Sequence, residues 1–149
     1  MGWLVQAILS FLAAAGFGII FNAPRKMLAY CGFVGMAGWM VYSVFNVLWG
    51  DLIKASFLGA FVVALVAHIF AKRFRTPMII FSVAGIIPLV PGGTAYNAMR
   101  HFVENDHLTA ISFATRALMV SGAIAMGLVF AEVIIQLFFR SRMKKKGVQ

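Results

Sequence analysis

Two prolines and two glycines interrupt an apolar stretch at Ile87-Pro88-Leu89-Val90-Pro91-Gly92-Gly93, and one carboxylate, Glu132, lies well inside another apolar stretch. These are residue types with which a membrane-embedded chain could move a solute. Proline donates no backbone hydrogen bond, and its ring clashes with the preceding helical turn. Hydrocarbon offers no substitute partner, so a broken helix persists at membrane depth only where protein buries it or where it lines a wet cavity. Transporters bind substrates and ions at such breaks.

The spacing around the break sharpens this. Thr76-Pro77 reads as a helix start, with Thr as cap and Pro at the first position. Pro88 follows eleven residues after Pro77, about 16 Å at helical rise and close to mid-bilayer. Pro88 withholds a donor from the carbonyl of Ala84, and Pro91 from that of Ile87. Gly85 lets another backbone approach or lets the chain bend. Gly92, Gly93 and Thr94 can open a second short helix, whose N-terminus would aim partial positive charge at the break and suit a carboxylate. An ordinary proline kink is the competing account of the same residues.

Glu132 lies seven residues before Phe139, about 10 Å from the end of its span. Ser121, Ala125, Leu128, Glu132 and Gln136 share one helical stripe of mostly small or polar residues, a type expected to face protein or a cavity. A carboxylate there could exchange a proton during transport; alternatively it reaches the inner interface and pairs with a basic residue. His68 stands in a second stripe with Ser56, Ala60, Ala64 and Lys72. It is a candidate proton relay, or a packed histidine. Asn22 and Asn46, near span ends, either bond across helices or touch a solute. Gly32, Gly35 and Gly38, with Ala14 and Gly18, permit close helix contact. Arg100 and Arg116 could hold an anion, with snorkelling to the interface as the default.

Other chemistries have no footing. Cys31 is the single cysteine, so neither an internal disulfide nor a thiolate zinc site can form. His101 and His107 are expected across the membrane from His68, so no metal site is expected. No nucleophile triad, phosphate-binding loop or dinucleotide fingerprint is present. No enzyme activity and no cofactor are expected.

These residues must be held by apolar helices. Of 149 residues, 62% are hydrophobic and 11% charged, where a soluble domain has about a quarter charged. The chain therefore reads as one all-α, multi-pass transmembrane domain over residues 1–149. Five spans are expected at about 3–21, 28–49, 55–71, 77–93 and 117–139, the fourth broken at Pro88 and Pro91, with a basic tail at 140–149. No Lys or Arg precedes the first apolar run, so it is read as a retained span rather than a signal peptide. Residues 94–115 should lie outside, with Ala95, Ala98, Met99, Phe102 and Val103 on one face of a short amphipathic helix that Asn105-Asp106 breaks, and Asp106 should cap the approach to the fifth span.

The net charge of +9 could suggest nucleic acid, but the basic residues cluster at the ends of apolar segments. Ten of the 13 fall after the first, third and fifth spans, and Lys54, Arg100 and Arg116 fall on the other side. The positive-inside rule then places the N-terminus outside and the C-terminus in the cytoplasm.

Three segments together resemble a known family. They are Phe21-Asn22-Ala23-Pro24-Arg25-Lys26, then Gly35-Met36-Ala37-Gly38-Trp39, and Pro77 followed by Ile86-Ile87-Pro88-Leu89-Val90-Pro91-Gly92 with Tyr96 and Ala98-Met99. In order and spacing, essentially the whole chain is similar to the second membrane half of the threonine/serine exporter family. The resemblance implies a five-helix subunit of an exporter in the bacterial inner membrane. It implies a larger companion subunit with a cytoplasmic N-terminal region and five further helices. It also implies export of threonine and serine, or of succinate-type dicarboxylates, drawing on the proton gradient. A self-sufficient homo-oligomeric channel or carrier, and a subunit that only stabilises the larger protein, are the alternatives.

Overall fold

The computed structural model describes residues 2–146, with side chains described as far as Phe138. The side chains of the basic tail expected at 140–149 lie outside the described residues. The architecture is all-helical, with no strand among the described residues. The elements are α1 (Trp3–Ile20), α2 (Leu28–Trp49), α3 (Leu52–Phe74), α4 (Met78–Ile86), α5 (Gly92–Val103) and α6 (His107–Lys146). A single 3-10 turn at Arg25–Met27 precedes α2, and another at Ile87–Leu89 continues α4. Four helices are long and apolar enough to cross a membrane, and the bent pair Met78–Leu89 and Gly92–Val103 would make a fifth crossing.

Each tight junction between long helices turns on one left-handed residue. Asn22 (φ 55°) ends α1, Gly50 (φ 64°) ends α2, Arg75 (φ 54°) ends α3 and Asn105 (φ 63°) follows α5. Asparagine tolerates this conformation better than other residues with a side chain. At Asn22 the following N–H, of Ala23, reaches back to the carbonyl of Gly18 at 2.9 Å, which seals the helix end. Asn22 is therefore an exposed helix terminator. Two aspartates open the helices that follow. The Asp51 carboxylate accepts from the N–H groups of Ile53 and Lys54, and Asp106 accepts from that of Thr109 at 3.3 Å. Hydrogen bonding from Lys54 holds the Asp51 carboxyl below its usual range, and hydrogen bonding from Thr109 does the same for Asp106. Both caps contribute above the ordinary carboxylate pKa and are lost as pH falls through the lowered folded-state values.

The helix ends differ from the expected ones where these caps act. α3 starts at Leu52, directly after Asp51, and continues to Phe74. α6 starts at His107, directly after Asp106, and its 40 residues span about 60 Å, roughly twice the hydrocarbon thickness. Thr76 does not cap α4: the helix begins after Pro77 without a side-chain cap, and the buried Thr76 hydroxyl has no hydrogen-bond partner among the described residues.

α3 is the central helix and packs against α2, α4 and α6. α1 packs on α2, and α5 packs on α6, where His101 stacks on Phe113 with ring centroids 5.5 Å apart. The core is built from Cys31 and Val34 of α2, Ala60, Val63 and Ala67 of α3, and Phe81 and Ala84 of α4. α6 buries Val120, Ile124, Gly127 and Ala131, recurring every three or four residues as one helical face. A Cβ on Gly127 would lie 2.5 Å from the carbonyl oxygen of Phe57 and 3.1 Å from Cβ of Ala60. That absence of bulk sets the α3–α6 approach.

Candidate solute pathway

The chain bends by 52° between Leu89 and Gly92. Val90 is extended (φ −60°, ψ 129°), and Pro91 leads into α5 with ψ 53°. The carbonyl of Ile87 accepts from the N–H of Val90 at 3.2 Å, and that of Val90 accepts from Gly92 at 2.8 Å. The Ile87 carbonyl expected to be stranded by Pro91 is thus satisfied locally, because the 3-10 turn draws the next donor one residue closer.

Side chains lock this break into the bundle. Pro88 lies over Gly35, with its Cγ 3.5 Å from where a Cβ would stand. Leu89 is 5% exposed and fills a notch left by the bare backbone at Gly59, beside Gly38. Its Cδ1 lies 3.4 Å from a Cβ built on Gly38, and its Cδ2 2.6 Å from one built on Gly59. Gly38 is ten residues into α2 and Gly59 seven residues into α3, about 15 Å and 10 Å along their axes. The break therefore sits at depth within the helices. Leu89→Ala should empty the notch and destabilise the fold by about 3 kcal/mol. Thermal unfolding of the purified protein in detergent checks this.

The glycines of the break divide into two kinds. Gly85 is buried, and a Cβ there would meet Val34 Cγ1 at 2.5 Å and Val63 Cγ1 at 2.9 Å. It permits α4 to touch α2 and α3. Gly92 and Gly93 are exposed, have no left-handed φ, and leave nothing within 4 Å of an added Cβ. Neither local conformation nor packing within the chain requires glycine at these two positions. With half-buried Thr94 they form the first turn of α5, which has no side-chain cap. The N-terminal N–H groups of such a turn attract anions.

A second group gathers at the other end of α3. His68 and Lys72 of α3, Thr76, Met78 of α4, and Ile135 and Gln136 of α6 line an open groove of about 520 Å³. The structure thus brings His68 and Gln136 together, which sequence spacing alone could not do. Glu132 is one helical turn from Gln136 on α6. Glu132, Ser121 and Gln136 are exposed on the flank of α6 that α3 leaves uncovered, and Glu132 forms no ion pair among the described residues. Along this stripe Leu128 packs against the core and Gln136 lines the groove with His68, while Ser121, Ala125 and Glu132 are exposed. Asn46 is half-buried in the last turn of α2, where its carbonyl accepts from Gly50 at 2.9 Å.

Two contacts that sequence reasoning did not assign also hold the site. Gly59 of α3 receives Leu89, whereas Gly35 of α2 makes room chiefly for Ala14 of α1 and Gly38 for Val63 of α3. Cys31 is fully buried, and its thiol donates to the carbonyl of Ile80 at 3.7 Å, tying α2 to α4. It therefore offers no surface thiol for crosslinking one chain to another.

Over residues 6–134 the sequence matches the family described as threonine/serine exporter, ThrE. No solved structure matches the chain.

Proposed function

Because the chain belongs to the threonine/serine exporter family, we propose that it is the small membrane subunit of a bacterial secondary exporter. Its solutes are small carboxylate-bearing metabolites, threonine and serine or succinate-type dicarboxylates. It sits in the inner membrane with its N-terminus outside and its C-terminus in the cytoplasm, and it works with a larger companion subunit.

The observation that carries this is the pair Gly92 and Gly93 at the open start of α5. Neither position needs glycine for its local conformation or packing, the turn has no side-chain cap, and the break beside it is held at depth. A solute carboxylate can approach that backbone closely, as at the discontinuous helices of other transporters. The bent pair is then one broken span, with Pro88, Pro91, Gly92, Gly93 and Thr94 along the solute path and Gly85 as the packing contact behind it. The uncovered polar flank of α6 supports a protein neighbour in the membrane, since intramembrane carboxylates rarely face lipid.

The test is efflux of labelled threonine, serine and succinate from cells lacking both subunits. Adding back this chain and its companion together should restore efflux. Restoration by this chain alone would point instead to a self-sufficient oligomer, and no efflux with both proteins in the membrane would overturn the proposal.

Proton coupling is assigned to Glu132, one helical turn from Gln136, which lines a groove together with His68. One pH unit across the membrane drives each exchanged proton by about 1.4 kcal/mol, a tenfold accumulation ratio. Efflux through the native protein should rise with an imposed inward proton gradient. Efflux through Glu132→Gln should not respond to it. An unchanged response would remove Glu132 from coupling.

A further inference from the structure

An apolar groove of about 590 Å³ runs between α3 and α6, on the opposite flank of α6 from Glu132. Phe57, Phe130, Met119 and Met126 wall it, and Gly122 and Ala123 leave α6 without bulk along it. Met119 and Phe130 are eleven residues apart, about 16 Å along the helix, close to half of the roughly 30 Å hydrocarbon layer. The groove is thus about one leaflet deep.

Its two ends differ in chemistry. Phe57 and Phe130 meet edge to face with centroids 6.0 Å apart, whereas Trp49 and Lys54 lie toward the α2–α3 turn. A polar recess of about 400 Å³ shares Ile53 and Met119 with the groove and adds Asp51, Ser112, Thr115 and Arg116. Tryptophan and basic side chains at a span end mark headgroup level. Lys54 pairs with Asp51 at 3.1 Å but is 68% exposed, so its ammonium keeps donors for another anion. Arg116 forms no ion pair among the described residues. Two cations against one carboxylate leave the mouth net positive.

An apolar slot one leaflet deep, closed by a cationic mouth at headgroup level, matches an amphiphile. A small polar solute would leave the apolar walls without contacts. We propose that the groove holds an acyl chain of an anionic phospholipid, with its phosphate against Lys54 and Arg116.

The 149-residue chain, with Trp3 and Trp39 replaced by phenylalanine, leaves Trp49 as the reporter. It would be reconstituted in phosphatidylcholine carrying increasing fractions of brominated phosphatidylglycerol, or of brominated phosphatidylcholine as the uncharged control. Quenching of Trp49 should reach half-maximum at a lower fraction of the anionic lipid. Replacing Lys54 and Arg116 by glutamine should weaken that preference roughly fivefold for each cation removed. Ala123→Trp, read by native mass spectrometry of the protein without the phenylalanine changes, should reduce the retained phosphatidylglycerol by filling the slot. Equal quenching by both lipids, or a preference untouched by the double glutamine change in protein of native helix content, would overturn the proposal. Loss of all lipid quenching on adding the companion subunit would also overturn it, by showing that a protein occupies the groove.

Discussion

Gly127→Leu should leave little folded protein, whereas Gly122→Ala, five residues away on the same helix, should be as stable as the native chain or slightly more so. The contrast follows from what each position faces. At Gly127 an added Cβ already stands 2.5 Å from the Phe57 carbonyl oxygen and 3.2 Å from the Phe61 nitrogen. Those are backbone atoms of a helix and cannot swing aside, so α6 would have to retreat from α3. Overpacking of this type costs about 1–3 kcal/mol even where side chains can move. Here the whole α3–α6 contact also loosens, and Val120, Ile124 and Ala131 lose their packing with it. At Gly122 nothing lies within 4 Å, and alanine is about 1 kcal/mol better than glycine inside a helix. Fluorescence-detected thermal melting of both variants, at matched expression, checks the pair. Equal melting temperatures would mean that α6 does not rest on α3 through Gly127.

Positions such as Gly127 show why only part of the fold could be read from the sequence. Span existence was legible, because long apolar runs have few alternatives in a membrane. Exact ends were less so. α3 and α6 begin at their aspartate caps, which lie several residues outside the most apolar windows. The position of the bend at Pro88 and Pro91 follows from proline acting on its own backbone, but the Ile87 carbonyl expected to be stranded there is met by Val90. What could not be read was pairing between helices. Gly35 and Gly38 were legible as close-contact positions and make room for Ala14 and Val63, but nothing in the sequence says that Gly59 is what receives Leu89. Likewise Gly85 and Gly93 look alike as letters, yet one is pressed between two valines and the other faces open space. The polar stripe through Glu132 was recognisable as a stripe, but the side of α6 that meets α3 was set by Gly127 and its neighbours. Asn22 was read by its polarity, as a cross-helix bond or a solute contact, and its backbone role in ending α1 was not legible.

Replacing Pro88 and Pro91 together by alanine should lower export more than tenfold while the protein inserts and accumulates as before. Each alanine restores an N–H where the chain now has none, so the helical bonds to Ala84 and Ile87 become available. A regained hydrogen bond is worth about 1 kcal/mol, and two shift a bent-against-straight equilibrium by about thirtyfold toward the straight helix. Leu89 in its notch opposes this, since leaving costs the buried contacts with Gly38 and Gly59. The double change therefore sets regained backbone bonding against a packing anchor. Adding Leu89→Ala removes the anchor and should abolish the export that remains. Insertion should be indifferent to all of this, because the added alanines keep the segment apolar and suited to a helix. Export assayed against protein measured in the same membranes separates the two effects. Export that stays native in the triple variant would show that the 52° bend belongs to how the chain packs and not to how a solute passes.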